Sequence, residues 1–271
     1  MNGIRLSRPE DLGDLRKIWN ASFPGDEAFA DWFLLNAYVP ENALVWDAGG
    51  RVSAMLHLIP MRCRMSGRAV SSAYVYAVAT LPENRGKGVA AALLQEAEAI
   101  EASRGTEMLM LVPQSATLFE YYRRQGFKEA LFRSQRVIAG AGETPRGFML
   151  DDSLGASELN ECFEAALSGK DHVMRTDAHW ARSLSYLSAL GARRDGHLLG
   201  YAVYDPDGVV RELIALDDAA RAALEAGVLT CINVREAGVY GPDGSPEPYG
   251  MARAITPDLE LKPCYAGLMM D

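Results

Sequence analysis

The sequence predicts an α/β fold of the mixed α+β kind: a central mixed, mostly antiparallel sheet flanked by helices, followed by a second run of helices and strands. Three observations predict it. Apolar, β-branched runs bounded by turn residues give two successive hairpins between Ala43 and Ala79. The run Tyr74, Val75, Tyr76 and Val78 then passes through Pro82, Asn84 and a glycine-rich turn into an Ala/Leu-rich helix that begins near Gly88. After the turn-forming stretch Gly140–Pro145 (GAGETP) a new alternation of elements starts, so residues 1–139 and 146–271 read as two domains.

In chain order, Ile4–Ser7 reads as a strand, and Pro9, Glu10 and Asp11 open a helix that carries Leu12, Leu15, Ile18 and Trp19 on one face. Pro24 and Gly25 end it. A second helix follows, with Asp26 as its N-cap and Phe29, Trp32, Phe33 and Asn36 at helical spacing. Ala43–Trp46 and Val52–Ile59 form the first hairpin about Gly49 and Gly50, and Met61–Met65 with Ala69–Ala79 the second. His57, inside an apolar strand, reads as a hydrogen-bonded structural histidine. Helix 88–104 ends at Gly105, and strand Met108–Val112, helix Thr117–Gln125 and strand Phe132–Ile138 complete the first half. In the second half, Leu154–Leu167 and Ala178–Leu190 read as helices. His197–Tyr204 and Val209–Leu216 read as a hairpin about Asp207 and Gly208, Ala219–Ala226 as a helix, Leu229–Val234 as a strand and Gly238–Pro248 as turns.

Composition narrows the function. The 271 residues are 49% hydrophobic, enough to fill a packed core. A net charge of -9 argues against nucleic acid or an acidic membrane surface as partner and suits cationic amines. Cys63, Cys162, Cys231 and Cys264 are scattered, without C-x-x-C pairing, so no metal site or disulfide framework is expected. With no apolar signal core at the start and no run near the ~18 residues that span a bilayer, a cytoplasmic protein is expected.

The glycine turn is the centre of the chemistry. Where a strand passes through glycines into a helix, the first amides lack partners and point out with the positive end of the helix dipole, which makes a phosphate cradle. A P-loop would need G-x-x-x-x-G-K-[ST], and here Lys87 precedes Gly88 with no hydroxyl residue after it. The segment Gly86–Ala91 fits G-x-G-x-x-A, but the next strand ends in Val112 and Pro113, without the acid that a dinucleotide fold places there. The pattern Arg85-x-x-Gly88-x-Ala90 fits better. It resembles the acyl-CoA pyrophosphate motif of the GNAT superfamily of N-acyltransferases. Tyr122, four residues before Gly126 and Phe127, resembles that family's second signature. The wording of residues 74–94 and of the N-terminal half is similar to the Eis-like branch, named for enhanced intracellular survival, in which a GNAT domain is followed by a degenerate second one.

The resemblance implies an acetyl-CoA-dependent N-acetyltransferase with direct transfer to a primary amine of a small molecule or peptide. The backbone of Gly86, Lys87, Gly88, Val89, Ala90 and Ala91 is then expected to take the pyrophosphate. Arg85 and Lys87 are either phosphate ligands or solvated surface charges. Val78, Ala79 and Thr80 are expected to pair with the pantetheine arm as an added strand does, and Thr117 and Leu118 to lie by the cofactor. Ser115 stands where many members have Asn. Tyr122 is the expected general acid, with Tyr121 as the adjacent alternative. Asp26 is either an acid that holds the amine or a plain N-cap, and Trp32, with Phe29 and Phe33, is either core or substrate wall. The base is Asp26, the C-terminal carboxylate of Asp271 or water. The second half, without an R-x-x-G-x-G/A loop, is expected to be a cofactor-free packing, oligomerising or substrate-shaping module, with no third domain, and the resemblance implies a homo-oligomer. A non-catalytic acyl-CoA-binding or sensing protein is the other reading, and a nicotinamide-dependent oxidoreductase a distant third.

Overall fold

The computed structural model describes residues 2–140 and 145–269. Its first elements are β1 (Asn2–Leu6), α1 (Leu12–Ser22), α2 (Glu27–Asn36), β2 (Ala43–Ala48), β3 (Val52–Met65), β4 (Arg68–Thr80), α3 (Val89–Ser103), β5 (Met108–Leu111) and α4 (Ala116–Arg124). There follow β6 (Lys128–Ala139), β7 (Met149–Asp151), α5 (Ala156–Ala166), β8 (His172–Met174), α6 (Asp177–Ser183) and β9 (Ser188–Arg194). The last are β10 (His197–Tyr204), β11 (Val210–Ala215), α7 (Asp218–Cys231), β12 (Glu236–Gly241), β13 (Glu247–Ala254) and β14 (Cys264–Tyr265). They form two compact units that interleave along the chain. Unit 1 is Met1–Met61, Val70–Lys128 and Met251–Leu261; unit 2 is Arg62–Ala69, Glu129–Gly250 and Lys262–Asp271. The stretch Gly140–Pro145, where the sequence suggests a linker, lies mostly outside the described residues.

In unit 1 the strand order is β1-β2-β3-β4-β5-β13. β1 and β2 are antiparallel from Asn2↔Ala48 to Leu6↔Leu44, and β2 and β3 from Ala43↔His57 to Asp47↔Val52. β4 and β5 are parallel, and β5 is antiparallel to β13. Leu44, Leu56, Val75, Leu93, Leu109 and Phe127 pack together and seat α3 and α4 on the sheet. The sequence reading breaks a strand at Pro60, whereas β3 runs through it; the proline is at an exposed position, where its missing N–H costs no buried bond.

Unit 2 buries its sheet on both faces, as the alternation of β10 and β11 shows. Ala202 and Leu213 pack with Leu224 and Val228 of α7. Tyr201 and Ile214, one residue out of phase, pack with Leu159 and Phe163 of α5 and Trp180 of α6. On that second face lies the buried carboxylate of Glu212. It takes two bonds from Arg175 (Nη1 2.6 Å, Nη2 2.8 Å), one from the Tyr201 hydroxyl (2.7 Å), one from the Tyr265 hydroxyl (2.6 Å) and one from the Leu268 amide (3.3 Å). Burial opposes the charge, but Arg175 and the two hydroxyls outweigh it and hold the carboxyl below its usual range.

Three second-half assignments change. Residues 178–190 split into α6 and the start of β9; Leu229–Val234 is not a strand, because α7 continues to Cys231; and Gly238–Pro248 holds the end of β12 and the start of β13. β7, β8, β9, β12, β13 and β14 carry no clear sequence signal.

Breaking a buried ion pair by removing one partner strands the other charge. Glu212→Gln is therefore expected to lower unfolding free energy by about 3–5 kcal/mol, measured by urea denaturation.

Candidate functional site

The junction between β4 and α3 has the geometry of an anion cradle. The first hydrogen bond of α3 runs from the Ala92 amide to the Gly88 carbonyl (3.0 Å), so the amides of residues 86–91 have no helical acceptor. The N-cap is Gly88, with φ 76°, and it offers no side-chain cap. Gly86 has φ 73°. A Cβ at either glycine would meet nothing within 4 Å, so it is the left-handed backbone, not crowding, that calls for glycine, and the face above the amides is open. The corresponding junction in unit 2 is closed by its own side chain: Asp217 caps α7 by accepting from the Ala220 amide (2.6 Å).

β4 opens beside this cradle. Its ladder with β5 covers only Ser72–Tyr74, paired with Met108–Met110. Beyond it Ala77 takes φ 48°, a strained conformation for a residue with a Cβ. Val78, Ala79 and Thr80 thus continue a strand that has no β5 partner among the described residues, which leaves an edge for an extended ligand. Arg85 turns back, its Nε donating to the Thr80 carbonyl (2.8 Å), and Lys87 reaches Asn84 Oδ1 (3.4 Å); both side chains are exposed.

A groove of about 680 Å³ continues from Gly88 along Ala91, Ala92, Gln95 and Glu98 of α3 to Arg124, Gln125 and Gly126 at the end of α4. Arg253 closes it. Its guanidinium pairs with Glu98 (2.5 Å) and donates to the Gln125 carbonyl (2.8 Å), joining the two helices. The sequence reading misses Arg253, Gln95 and Glu98, and no local signal marks Arg253, which is 128 residues from Gln125.

The Tyr122–Gly126–Phe127 spacing is the chemistry of a helix end. The Phe127 amide bonds the Tyr122 carbonyl (3.1 Å) and the Gly126 amide the Arg123 carbonyl (3.0 Å), with Gly126 at φ 84°. This Schellman turn brings the Phe127 ring onto Tyr122, with centroids 5.8 Å apart. Tyr122 is only 7% exposed, and burial, helped by Tyr121, pushes its phenol pKa up. Tyr121 is half-buried, and burial raises its pKa too. At the other end of α4 Ser115 is the N-cap, accepting from the Leu118 amide (3.3 Å), with Thr117 and Leu118 exposed on the first turn.

The remaining sequence candidates lie elsewhere. Asp26 is exposed and precedes α2 without a side-chain cap bond, and Trp32 is half-buried against Phe29 (5.4 Å). Asp271 lies outside the described residues. His57 differs from expectation: its Nε2 is buried without a partner among the described residues, and burial drives its pKa down to about 3. Cys63, Cys162 and Cys264 are buried thiols outside any disulfide, and Cys231 is an exposed one. No cluster of metal-binding side chains occurs among the described residues, and none of their helices is long and apolar enough to cross a membrane.

Residues 3–130 match the family model described as acetyltransferase (GNAT) domain. A comparison with curated proteins found no match. Among solved structures, the GCN5-related N-acetyltransferase of Anabaena variabilis is 18% identical with a TM-score of 0.76, over 94% of this chain and 73% of its own. Eis1 of Mycobacterium abscessus is 18% identical with a TM-score of 0.67, over 93% of this chain and 74% of its own. A tandem GNAT protein from the clavulanic acid biosynthesis pathway is 14% identical with a TM-score of 0.59, over 95% of this chain and all (100%) of its own. The fold is thus a GNAT sheet followed by a second GNAT-like α+β unit.

A folded pKa near 3 against an ordinary value of 6.5 means that the folded chain binds fewer protons at His57 than the unfolded chain. That stability is present above about pH 6.5 and is lost as pH falls towards 3. Between pH 6.5 and 4.5 the loss is about 2–3 kcal/mol. His179, with its pKa also lowered by burial, to about 4, titrates in the same window. The difference between wild type and His57→Gln in melting temperature against pH isolates His57, and the variant is expected to give the flatter curve.

Proposed function

We propose that this protein is an acetyl-CoA-dependent N-acetyltransferase of the Eis-like tandem type, acting on a primary amine by direct transfer. The observation that carries the reading is the cradle of uncapped amides at Gly86–Ala91 next to the unpaired edge of β4. The same junction in unit 2 carries an aspartate cap and repels anions, so unit 1 is the catalytic half and unit 2 a supporting one.

Acetyl-CoA is the acyl donor, and its diphosphate suits the residue 86–91 amides together with the helix dipole. Lys87 can swing onto the phosphates from a weak contact, whereas Arg85 is already engaged and fixes the turn. Val78 and Ala79 offer β5-side backbone groups to the pantetheine amides and a donor to the oxyanion, with Thr80, whose carbonyl already accepts from Arg85 Nε, at the end of that edge. The amine nitrogen bonds the acyl carbon, the carbon–sulfur bond breaks, and the leaving thiolate takes the proton of the Tyr122 phenol, which burial keeps protonated at neutral pH; the acylated nitrogen sheds its remaining extra proton to solvent, and solvent restores the phenol. The ammonium proton goes to solvent or to a carboxylate, Asp26 or Asp271, before attack. Thr117 and Leu118, on the first turn of α4, face the donor. The chain is expected to act in the cytoplasm, without nucleic acid or membrane, and as a homo-oligomer.

A non-catalytic acyl-CoA-binding or sensing role is the second reading, favoured by one observation: Tyr122 sits in the unit 1 core and does not line the groove. Thiol release from acetyl-CoA with a panel of amines separates the two, since a sensor binds CoA and turns over none.

Two substitutions divide the labour. Tyr122→Phe is expected to cut kcat by roughly 100-fold or more, within the usual span of general acid catalysis, with CoA affinity unchanged by calorimetry. Gly88→Glu puts a carboxylate and a Cβ at a left-handed position in the cradle and is expected to abolish CoA binding. Equal loss of CoA binding in both variants would overturn the assignment.

A further inference from the structure

β13 enters unit 1 from late in the chain and lies against β5, with Met251↔Leu111, Ala252↔Met110, Arg253↔Leu109 and Ala254↔Met108 in register. Along a strand every second side chain shares a face. Met251 and the following Ile255 join the core of Leu93, Leu94, Tyr122 and Phe127, so Arg253, between them, faces the two helices that this core seats. Its guanidinium spans them. One Nη meets Glu98 on α3 (2.5 Å), and the other donates to the Gln125 carbonyl at the end of α4 (2.8 Å). The last carbonyls of a helix have no further turn to supply an amide, and a cation is favoured at that end of the dipole. A Cβ at Gly126 would lie 3.5, 3.6 and 3.7 Å from Arg253 Nε, Cδ and Cζ, so the side chain runs along the turn that follows Tyr122.

We infer that Arg253 is a positioning residue for acyl transfer: it sets the gap between α3, which carries the phosphate cradle, and the end of α4, which carries Tyr122. The inference rests on the acyltransferase reading and deepens it by adding a residue from the late part of the chain. The two ends of the reaction are held by different helices. The donor's diphosphate is held at the start of α3, and the proton that the leaving sulfur needs comes from α4. Glu98 lies about 15 Å along the helix axis from Gly88, and Gln125 less than one turn beyond Tyr122. The clamp thus grips α3 far from the cradle and α4 next to the acid, so its loss moves the phenol and leaves the cradle as it is. Its contribution to stability is small, because the paired side chains are 30% and 25% exposed. Its directional effect is larger. A guanidinium holds two partners in fixed directions, whereas an ammonium is a point charge. A reacting group displaced by about 1 Å costs on the order of 100-fold in rate.

The test is a double-mutant cycle between Arg253→Met and Tyr122→Phe. Thiol release from acetyl-CoA is measured with n-hexylamine, spermidine and Nα-acetyl-lysine amide, and the cycle uses the acceptor that the wild type turns over fastest. CoA affinity comes from calorimetry. Arg253→Met is expected to lower kcat about tenfold or more, with CoA affinity within about twofold of wild type. In the Tyr122→Phe background the same substitution is expected to change kcat by less than about twofold, because a residue that acts through the phenol has nothing left to place. Glu98→Gln frees the α3 arm without touching β13; it is expected to lower kcat in the same way, and it replaces Arg253→Met in the cycle should that variant unfold. Full activity in both clamp variants overturns the inference. So does a loss of CoA affinity that accounts for the lost rate, or an equal loss of kcat in both Tyr122 backgrounds, which marks a structural brace alone. A wild type that binds CoA and turns over no acceptor instead overturns the acyltransferase reading, and a Tyr122→Phe as fast as wild type overturns the acid; in either case the clamp falls with it.

Discussion

Everything in unit 1 that bears on chemistry depends on backbone groups that secondary structure leaves unpaired. A parallel strand normally spends its amides and carbonyls on both neighbours, yet β4 is paired with β5 over three residues only, Ser72–Tyr74, before the strands part. The strained Ala77 follows at once. Backbone strain of this kind costs roughly 1–3 kcal/mol and persists only where surrounding packing enforces it. Here the enforcing packing is visible, since Val75 and Val78 on either side of Ala77 are held against the Leu93 and Leu111 core. The strand cannot relax back onto β5 without dragging apolar side chains out of that core. The open edge and the bare amides of α3 are two ends of one device.

The second unit treats the same layout differently. β11 passes into α7 as β4 passes into α3, but through Asp217 in place of a left-handed glycine. An aspartate N-cap stabilises a helix by about 1 kcal/mol and places a negative charge where a phosphate would have to sit. Unit 2 also holds its most demanding polar group inside, with Glu212, Arg175, Tyr201 and Tyr265 satisfying one another and the Leu268 amide. A unit built in this way gains order and gives up exposed hydrogen-bonding capacity.

Legibility in the sequence follows the range of the interactions. The cradle was readable, because Gly86, Gly88 and the helix start are local, and so was the hairpin about Asp207 and Gly208. The helix expected over Ala178–Leu190 failed because β9 is buried on both faces, from Ala189 to Ala192, and so shows no alternation to betray a strand. Val228, Leu229 and Thr230 look β-like by type, but they continue α7 because Val228 and Leu229 fill the core and Thr230 returns its hydroxyl to the Ala226 carbonyl (3.0 Å). β12 was hidden by Gly238 and Gly241, which read as turn residues. The second of these is forced by close approach, since a Cβ there would lie 2.7 Å from the Leu213 carbonyl. The role of Arg253 could not be read at all: a residue from the late strand β13 completes a groove whose other walls come from α3 and α4.

The tyrosine signature shows why a motif and its function need separate arguments. The spacing of Tyr122, Gly126 and Phe127 is accounted for by helix termination alone: a left-handed glycine at the stop, two returning amide bonds and an apolar contact across them. Any large apolar residue at position 122 would serve that turn. What termination does not explain is a hydroxyl, which in a packed apolar core is costly unless it has a partner or a task. Burial raises the phenol pKa, so the group keeps its proton at every pH at which the protein works, and it can give it up only to a strong base formed beside it. A thiolate released from a thioester is such a base, so the proposed acid role would use the hydroxyl that packing alone does not call for.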